Sequence, residues 1–189
     1  MWKSLVLVLS FVLAGCASLR PPVENGRLTP APGQGLAIIA LTAQSFNDDT
    51  ADLTLHISGP AGRTSGHMRL ITDFIRAPGN TPNSTGRLLV LSLPAGQHMI
   101  TNATGSWRRD SGNLMFLREM INVEIQQPFT LAEGEVVYLG QVHVRMNFRP
   151  DVTFSQNTER DFFDLKTRSG VTDFSNIVIR PLQAAATVQ

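Results

Sequence analysis

The chain has 189 residues, of which 42% are hydrophobic and 16% are charged, a composition typical of a globular protein with a substantial core. Its 16 basic residues nearly balance its 15 acidic ones, and this near-neutrality argues against a nucleic-acid partner. A single cysteine excludes an intrachain disulfide, so the fold must depend on its core.

Residues 1–15 have the three parts of a secretory signal peptide. A short N-terminal region contains Lys3, an apolar run extends from Leu5 to Leu13, and small residues precede Cys16. The apolar run is much shorter than the roughly 20 residues that a transmembrane helix needs. We therefore predict that residues 1–15 are a signal peptide and do not belong to the folded domain.

Cys16 stands where signal cleavage and lipid attachment need a thiol nucleophile. The stretch Leu13-Ala14-Gly15-Cys16 resembles the lipobox of bacterial lipoproteins, which is a leucine, two small residues and a cysteine. The resemblance implies that Cys16 carries a diacylglyceryl group and an acylated amino group, which together anchor a protein stably. The resemblance also implies sorting to the outer membrane, because the residue after the cysteine, Ala17, is not aspartate. We predict that the domain lies on the periplasmic face of that membrane. The alternative is an ordinary secretion signal followed by an incidental cysteine.

Residues 16–35 are rich in proline and glycine and lack apolar periodicity. Proline stiffens a chain towards polyproline II, at about 3.1 Å per residue. We therefore predict a tether that holds the domain up to roughly 45 Å from the membrane. A strip that binds a partner is the alternative.

From Leu36 onwards, short runs of β-forming residues alternate with turn residues. Residues 36–42 are almost entirely apolar, which indicates a buried strand. Leu53, Leu55 and Ile57 alternate with polar residues, which indicates a strand with one buried face. Further strands are predicted at residues 67–72, 87–93, 97–107, 120–127 and 135–146, and a last one within residues 171–179.

Two short glycine-containing breaks predict how strands connect. Leu93-Pro94-Ala95-Gly96 should join strands 87–93 and 97–107 in an antiparallel hairpin, and residues 131–135 precede the longest strand in the same way. Together with the later run Ala-Glu-Gly-Glu-Val-Val-Tyr-Leu-Gly at residues 132–140, this turn resembles the β-sandwich lipoproteins of proteobacteria that have a prealbumin-like or carboxypeptidase-regulatory-like domain. The resemblance covers residues 87–146.

We therefore expect a mainly β fold. It should be an antiparallel β-sandwich of seven or eight strands, prealbumin-like or immunoglobulin-like, with one short C-terminal helix. The domain should span residues 36–181, and residues 182–189 should form a flexible tail.

The helix is predicted at residues 158–169. Thr158 and Asp161 have the spacing of a capping box, and Gly170 is placed to end the helix. The apolar side chains that follow should cover an open sheet edge or an end of the sandwich, with a docking groove for another protein as the alternative; they are Phe162, Phe163 and Leu165.

Motifs for catalysis or metal binding are scarce. The sequence contains no Gly-x-Ser-x-Gly elbow, His-Glu-x-x-His helix, phosphate-binding glycine loop or dinucleotide fingerprint. Alternation places His56 opposite the buried face of its strand, towards solvent. A metal site would need three of the four histidines to converge from separate predicted strands, namely His56, His67, His98 and His143. We predict no metal, no cofactor and no catalytic residue.

Two catalytic hypotheses remain as alternatives, and both would belong to an envelope hydrolase with a site built from loops. Ser106, Asp110 and His98 could form a nucleophilic set, although residues 106–112 favour a surface turn. Glu133 and Glu135 could act as an acid–base pair. A turn in which one carboxylate faces water and the other caps the turn is the simpler interpretation.

Two segments are candidates for binding a partner. Residues 76–86 are polar and predicted to form a long loop, and such loops are often functional. Trp107, Arg108 and Arg109 combine residue types that are enriched at interface hot spots, although a tryptophan at a strand end more simply covers the core. We expect a lipid-anchored binding or assembly module of the envelope with a protein partner. A hydrolase and a structural or stress-related lipoprotein without a dedicated ligand are the alternatives.

Overall fold

The structure, a computed structural model, describes residues 21–109, 117–147 and 149–183. The predicted signal peptide and Cys16 lie outside these residues. No helix in the described ranges is long and apolar enough to cross a membrane. The described elements are β1 (Val23–Glu24), β2 (Arg27–Leu28), β3 (Gln34–Ser45), a 3₁₀ helix (Asp48–Thr50), β4 (Asp52–Gly59), β5 (Gly62–Arg69), β6 (Phe74–Ala77), β7 (Thr81–Pro94), β8 (Gly96–Arg108), β9 (Arg118–Leu131), β10 (Val136–Met146), β11 (Asp151–Ser155), α1 (Thr158–Ser169) and β12 (Ile177–Ile179).

Two sheets pack face to face, and a separate two-stranded hairpin is formed by β1 and β2. The larger sheet has the order β11-β10-β3-β7-β6, with β12 also paired to β10, and the smaller sheet has the order β5-β4-β8-β9. The predicted mainly β, sandwich-like fold is confirmed, with twelve strands in the described residues instead of seven or eight. β10 pairs in parallel with both β3 and β12, so the larger sheet is mixed and not purely antiparallel.

Strand β3 is buried on both faces, which explains its almost continuous apolar sequence. Ile39 and Leu41 belong to the main core between the two sheets. Leu36 and Ile38 belong to a second cluster on the outer face of the larger sheet, where helix α1 contributes Leu165. The prediction of a buried strand here is confirmed.

Buried and partly buried side chains alternate along β4 as predicted, whereas in β8 this alternation changes phase within the strand. Leu53, Leu55 and Ile57 are almost completely buried, while the residues between them are only partly buried. In β8, Thr101 is an extra residue between Ile100 and Asn102, which pair with the consecutive residues Ile57 and His56 of β4. An extra residue reverses which side chains face inward, so alternation breaks in the middle of the strand.

The predicted hairpin between residues 87–93 and 97–107 is wrong. β7 belongs to the larger sheet and β8 to the smaller one, so the Pro94-Ala95-Gly96 connection carries the chain across the sandwich. Gly96 makes this reversal with a φ of 140°. Residues 131–135 make a second crossing, from β9 to β10. Turn chemistry predicts that the chain reverses, but it does not specify which sheet the next strand joins.

Residues 76–86 are a hairpin and not the predicted long loop. The ends of β6 and β7 pair through Ala77 and Thr81, with a tight turn at residues 78–80. Gly79 and Asn80 both have positive φ values, 93° and 61°, which suit such a turn. Much of this hairpin is exposed to solvent, so it carries no apolar alternation that would have identified its strands.

The predicted tether is folded from residue 21 onwards. The β1–β2 hairpin buries Leu28 to 1% exposure in the second apolar cluster. Arg27 Nε lies 2.6 Å from Asp173 Oδ2, and Asn176 Nδ2 donates a hydrogen bond to Leu28 O at 2.8 Å. One buried leucine and a few polar contacts are therefore enough to hold a segment that lacks apolar periodicity. Residues 16–20 lie outside the described residues.

Helix α1 has the predicted bounds but a different N-cap. The side chain of Asn157 accepts a hydrogen bond from Arg160 N at 3.1 Å, so Asn157 caps the helix and Thr158 is its first residue. Gly170 ends the helix in the left-handed conformation, with a φ of 73°, as predicted. Asp161 does not complete a capping box, and its carboxylate is buried instead.

The same helix contacts the edge strand β6, but through polar side chains and not through the predicted Phe162, Phe163 and Leu165, of which Phe162 and Leu165 pack in the second apolar cluster. Asp164 Oδ1 accepts a hydrogen bond from Arg76 N at 3.0 Å, and Arg168 Nη2 donates one to Phe74 O at 2.6 Å. These side chains occupy backbone groups of the edge strand that could otherwise pair with another chain.

The C-terminal segment is only partly a strand. Pairing within the predicted range 171–179 is limited to Ile177–Ile179. Leu182 N donates a hydrogen bond to Leu139 O at 2.9 Å, and the Leu182 side chain is buried in the main core. Leu182 therefore belongs to the folded domain and not to the predicted tail, and residues 184–189 lie outside the described residues.

Candidate functional site

The four histidines lie apart, three with a partner on the adjacent strand of their sheet and His98 with a partner at the end of β7. His56 is on the outer face of the smaller sheet, as predicted. The described residues contain no group of three or more His, Cys, Asp or Glu side chains that could hold a metal. The contacts are His56 Nε2 with Thr104 Oγ1 (2.7 Å), His67 Nδ1 with Thr54 Oγ1 (3.0 Å), His98 Nε2 with Pro94 O (2.8 Å) and His143 Nδ1 with Thr42 Oγ1 (2.9 Å).

Ser106 and His98 are not brought together. Both lie on β8, eight residues apart, which corresponds to roughly 26 Å along an extended strand. Ser106 Oγ instead donates to Asp52 Oδ1 at 3.1 Å and accepts from Arg118 Nη2 at 2.6 Å. The third residue of the hypothetical set, Asp110, lies outside the described residues. The geometry around Ser106 is that of a surface ion-pair network.

Glu133 and Glu135 both stabilise the crossing between β9 and β10. Glu133 Oε1 accepts a hydrogen bond from Gly33 N at 2.8 Å. Glu135 Oε2 accepts one from Ala132 N at 2.9 Å, and Glu135 Oε1 lies 2.6 Å from Arg180 Nη2. The two carboxylates therefore have different partners and both stabilise the turn, whereas the simpler interpretation had only one of them capping it.

Trp107 is buried, whereas several large apolar residues at the same end of the sandwich are exposed. Its exposed fraction is 5%, so it covers the core, as the simpler interpretation held. Phe46 is 62% exposed, and its ring centroid lies 6.4 Å from that of Trp107. Leu117 is 57% exposed and Met120 is 79% exposed at the start of β9. We call Phe46, Leu117 and Met120 the apolar end of the sandwich.

The apolar end was missed by sequence reasoning. Phe46 follows a long buried strand, and its exposure depends on where β3 ends in the sandwich. Leu117 O accepts a hydrogen bond from Arg109 N at 3.1 Å, which brings Leu117 beside the residue that follows β8. A clue in the sequence is that two large apolar residues, Phe46 and Leu117, lie outside the predicted strands.

A polar groove lies on the outer face of the larger sheet, beyond the N-terminus of α1. It encloses about 360 Å³ and is lined in part by Thr42, Ser84, Gln141 and His143. Burial, with the neighbouring charge of Arg145, lowers the pKa of His143 below its usual value. The lining side chains already bond to Arg160 or to each other, which favours a structural role for this groove.

A second depression, of about 550 Å³, surrounds His98 at the opposite end of the sandwich. The His98 ring stacks on Phe129, with centroids 5.1 Å apart. His98 Nδ1 has no hydrogen-bond partner among the described residues, and it faces the Cα of Gly59, where an added Cβ would lie 2.2 Å away. The imidazole is therefore packed against the backbone of β4.

A buried charged network joins helix α1 to the larger sheet. Arg160 Nε lies 2.7 Å from Asp161 Oδ1, and the two side chains are 5% and 0% exposed. Tyr138 Oη donates to Asp161 Oδ2 at 2.5 Å, while Arg160 also donates to Ser84 and Gln141. Burial and the hydrogen bond to the carboxylate raise the pKa of Tyr138 well above its usual value of 10.0. The charges of Arg160 and Asp161 balance each other, and the network fixes the position of α1 on the larger sheet.

No family model matches the chain, and neither does any curated protein or solved structure. Function is accordingly inferred from the chain's own residues and their geometry.

Proposed function

We propose that this chain is a lipid-anchored protein of the bacterial outer membrane that acts as a periplasmic binding or assembly module, and that its protein partner docks on the apolar end. The observation that carries this proposal is the exposure of Phe46, whose ring lies near that of buried Trp107, together with the exposure of Leu117 and Met120 at the start of β9, the strand that pairs with β8. Large apolar side chains exposed together on a monomer commonly mark an interaction site. The anchor is proposed from the lipobox pattern that ends in Cys16.

Charged pairs beside the apolar end support its use as an interface. Arg109 Nη1 lies 3.1 Å from Glu119 Oε1, and Arg118 Nη2 lies 2.6 Å from Asp52 Oδ2. Interfaces often combine an apolar centre with a polar rim that remains exposed to solvent. This surface has both components near the ends of β3 and β8 and the starts of β4 and β9.

The apolar end is also well separated from the start of the folded domain. The β1–β2 hairpin packs on Leu36 near the beginning of β3, and Phe46 follows the end of that strand. The nine residue steps from Leu36 to Ser45 span about 30 Å in extended conformation. A protein partner can therefore occupy this end without displacing the segment that leads to Cys16.

Photo-crosslinking in intact cells tests the docking surface. We expect Phe46→p-benzoylphenylalanine and Met120→p-benzoylphenylalanine to give one adduct of the same mass. The same probe at Val178, which is 42% exposed at a distant edge, serves as the control and should not give it. Adding Leu117→Ser to the Phe46 probe should lower the adduct yield about tenfold, because burying a leucine contributes roughly 1.5–3 kcal/mol.

Equal adducts from Val178 and from the apolar end would contradict the proposed surface. If no position gives an adduct, the structural lipoprotein becomes the better interpretation. The anchor has its own test: Cys16→Ser should abolish the lipid mass and release the protein from the membrane fraction. A Cys16→Ser protein that stays membrane-bound would contradict the anchor.

A further inference from the structure

We propose that one side of this domain rests directly on the lipid headgroups: the side formed by the β1–β2 hairpin and β12, with Val178 and Ile179 in the interfacial layer. This inference rests on the proposed lipid anchor at Cys16. It adds a defined orientation and a second contact with the membrane, made by the folded domain itself.

The first step is the length of chain between the anchor and the fold. Only five residue steps separate Cys16 from Pro21, where the described structure starts. Five residues reach at most about 18 Å even when fully extended. A domain of about 160 residues has a radius of gyration of roughly 15 Å, so its outer radius is comparable to this reach. The attachment side must therefore lie close to the lipid surface.

The second step is that the attachment point cannot swing away from the domain. Thr29 N donates a hydrogen bond to Pro22 O at 3.0 Å, which ties the first described residues to the chain that follows β2. Arg27 contacts both Asp173 and Ser175, at 2.6 and 2.7 Å. Together with the burial of Leu28, these contacts fix the hairpin to the segment that precedes β12.

The third step is the chemistry of the neighbouring surface. Asn176, which bonds to Leu28 O, immediately precedes β12. Ile177 packs in the second apolar cluster, whereas Val178 and Ile179 are 42% and 51% exposed. Apolar side chains beside a membrane attachment point gain by entering the boundary between headgroups and acyl chains, which lies about 5–10 Å deep. A lipid surface is the occupant that the short tether brings to this position.

The experiment uses the absence of any cysteine other than Cys16, whose thiol the lipid would cap. Val178→Cys then provides the single free thiol of the lipoprotein, and Met120→Cys provides the matched control at the apolar end. Each purified lipoprotein is labelled with an environment-sensitive fluorophore and reconstituted in phosphatidylethanolamine–phosphatidylglycerol vesicles that contain doxyl-labelled lipid. We expect quenching at residue 178 to exceed that at residue 120 by about twofold or more, because only the former lies at interfacial depth.

A tether insertion makes the test specific. Fifteen Gly and Ser residues inserted after Ser18 extend the maximum reach to about 70 Å. This insertion should lower quenching at residue 178 at least in part, because the short tether no longer holds the hairpin side at the surface. A Val178→Ser, Ile179→Ser protein with the label at Glu24→Cys, an exposed position of the same hairpin, should also show weaker quenching than its parent with the same label.

Failure of the inference and failure of the anchor give different results. If the labelled lipoprotein floats with the vesicles and carries the lipid mass, but residues 178 and 120 are quenched equally, the orientation is wrong and the anchor stands. If mass spectrometry finds no lipid on Cys16 and the protein does not float with the vesicles, both are overturned.

Discussion

Replacing Asp161 with asparagine should destabilise the fold far more than the same replacement at Asp151. Both aspartates pair with an arginine, Asp161 with Arg160 and Asp151 with Arg145. The Asp161 side chain is 0% exposed, whereas that of Asp151 is 40% exposed. Both replacements therefore remove a carboxylate from an aspartate–arginine pair, and the two pairs differ in how deeply the aspartate is buried.

The expected magnitude follows from what Asp161→Asn leaves behind. Arg160 keeps hydrogen bonds to Ser84 Oγ and Gln141 Oε1, but these neutral groups do not compensate its charge. Removing one partner of a buried ion pair typically costs about 3–5 kcal/mol. Tyr138→Phe should cost less, about 1–3 kcal/mol, because it leaves a hydrogen-bond acceptor of Asp161 and the N–H of Asn157 without their partner.

Urea unfolding followed by circular dichroism measures these changes, with Cys16→Ser as the unlipidated parent. For a slope of about 2 kcal/mol per molar urea, the midpoint should fall by about 2 M for Asp161→Asn. Asp151→Asn should shift it little, because an exposed pair is screened by solvent. If Asp161→Asn proves too unstable to purify, Tyr138→Phe still reports on the same network.

Equal midpoints for Asp161→Asn and Asp151→Asn would refute this reasoning. So would an unchanged midpoint for Tyr138→Phe. The first result would mean that Asp161 does not hold the Arg160 charge in a dry environment, and the second that the Tyr138 hydroxyl does not bridge Asp161 and Asn157 in a buried network.

Three further changes test other parts of the structure. Tyr138 is the only tyrosine, so the phenolate absorbance of the native protein should not appear until well above pH 10.0. Because folding raises the pKa of Tyr138, the stability that this hydroxyl contributes is present below pH 10.0 and is lost as the pH rises further. Gly59→Ala should lower stability by about 1–3 kcal/mol in thermal unfolding, because the new Cβ meets the His98 ring, and an unchanged Tm would count against the packing described here. Hydrogen bonds from Ser175 and, to a smaller extent, from Arg27 lower the pKa of Asp173 to about 2. An NMR titration of this carboxyl should therefore have its midpoint near pH 2, and the stability that Asp173 contributes should be lost as the pH falls from 3.8 through 2.

Local patterns predicted the elements better than their arrangement. The apolar run of β3, the alternation of β4 and the bounds of α1 are all decided by neighbouring residues, and all three were predicted from sequence. The crossing at Pro94-Ala95-Gly96 was not, because the same turn can lead to a paired strand or to the opposite sheet. The bulge beside Asn102 likewise depends on the partner strands on either side.

The candidate surfaces were harder to predict because exposure is decided by distant packing. The simpler interpretation of Trp107, that it covers the core, is correct, but the sequence does not indicate that Phe46 beside it is exposed. Residues 76–86 were identified as a binding loop on composition alone, and composition does not distinguish a loop from an exposed hairpin. The hairpin at Leu28 was missed because one buried side chain leaves no periodic pattern.

Strand β3 explains why the two proposed contacts can lie on different parts of one small domain. Near its start, its outward-facing residues are Leu36 and Ile38, and they are covered by the β1–β2 hairpin and by cluster residues around α1. Further along, Thr42 and Gln44 line the polar groove, so no apolar cover forms there. The hairpin that begins the fold is therefore confined to the first half of the strand. Because the chain towards Cys16 leaves from this hairpin, the proposed membrane contact lies on that half, and the end of the strand beside Phe46 remains accessible to a protein partner.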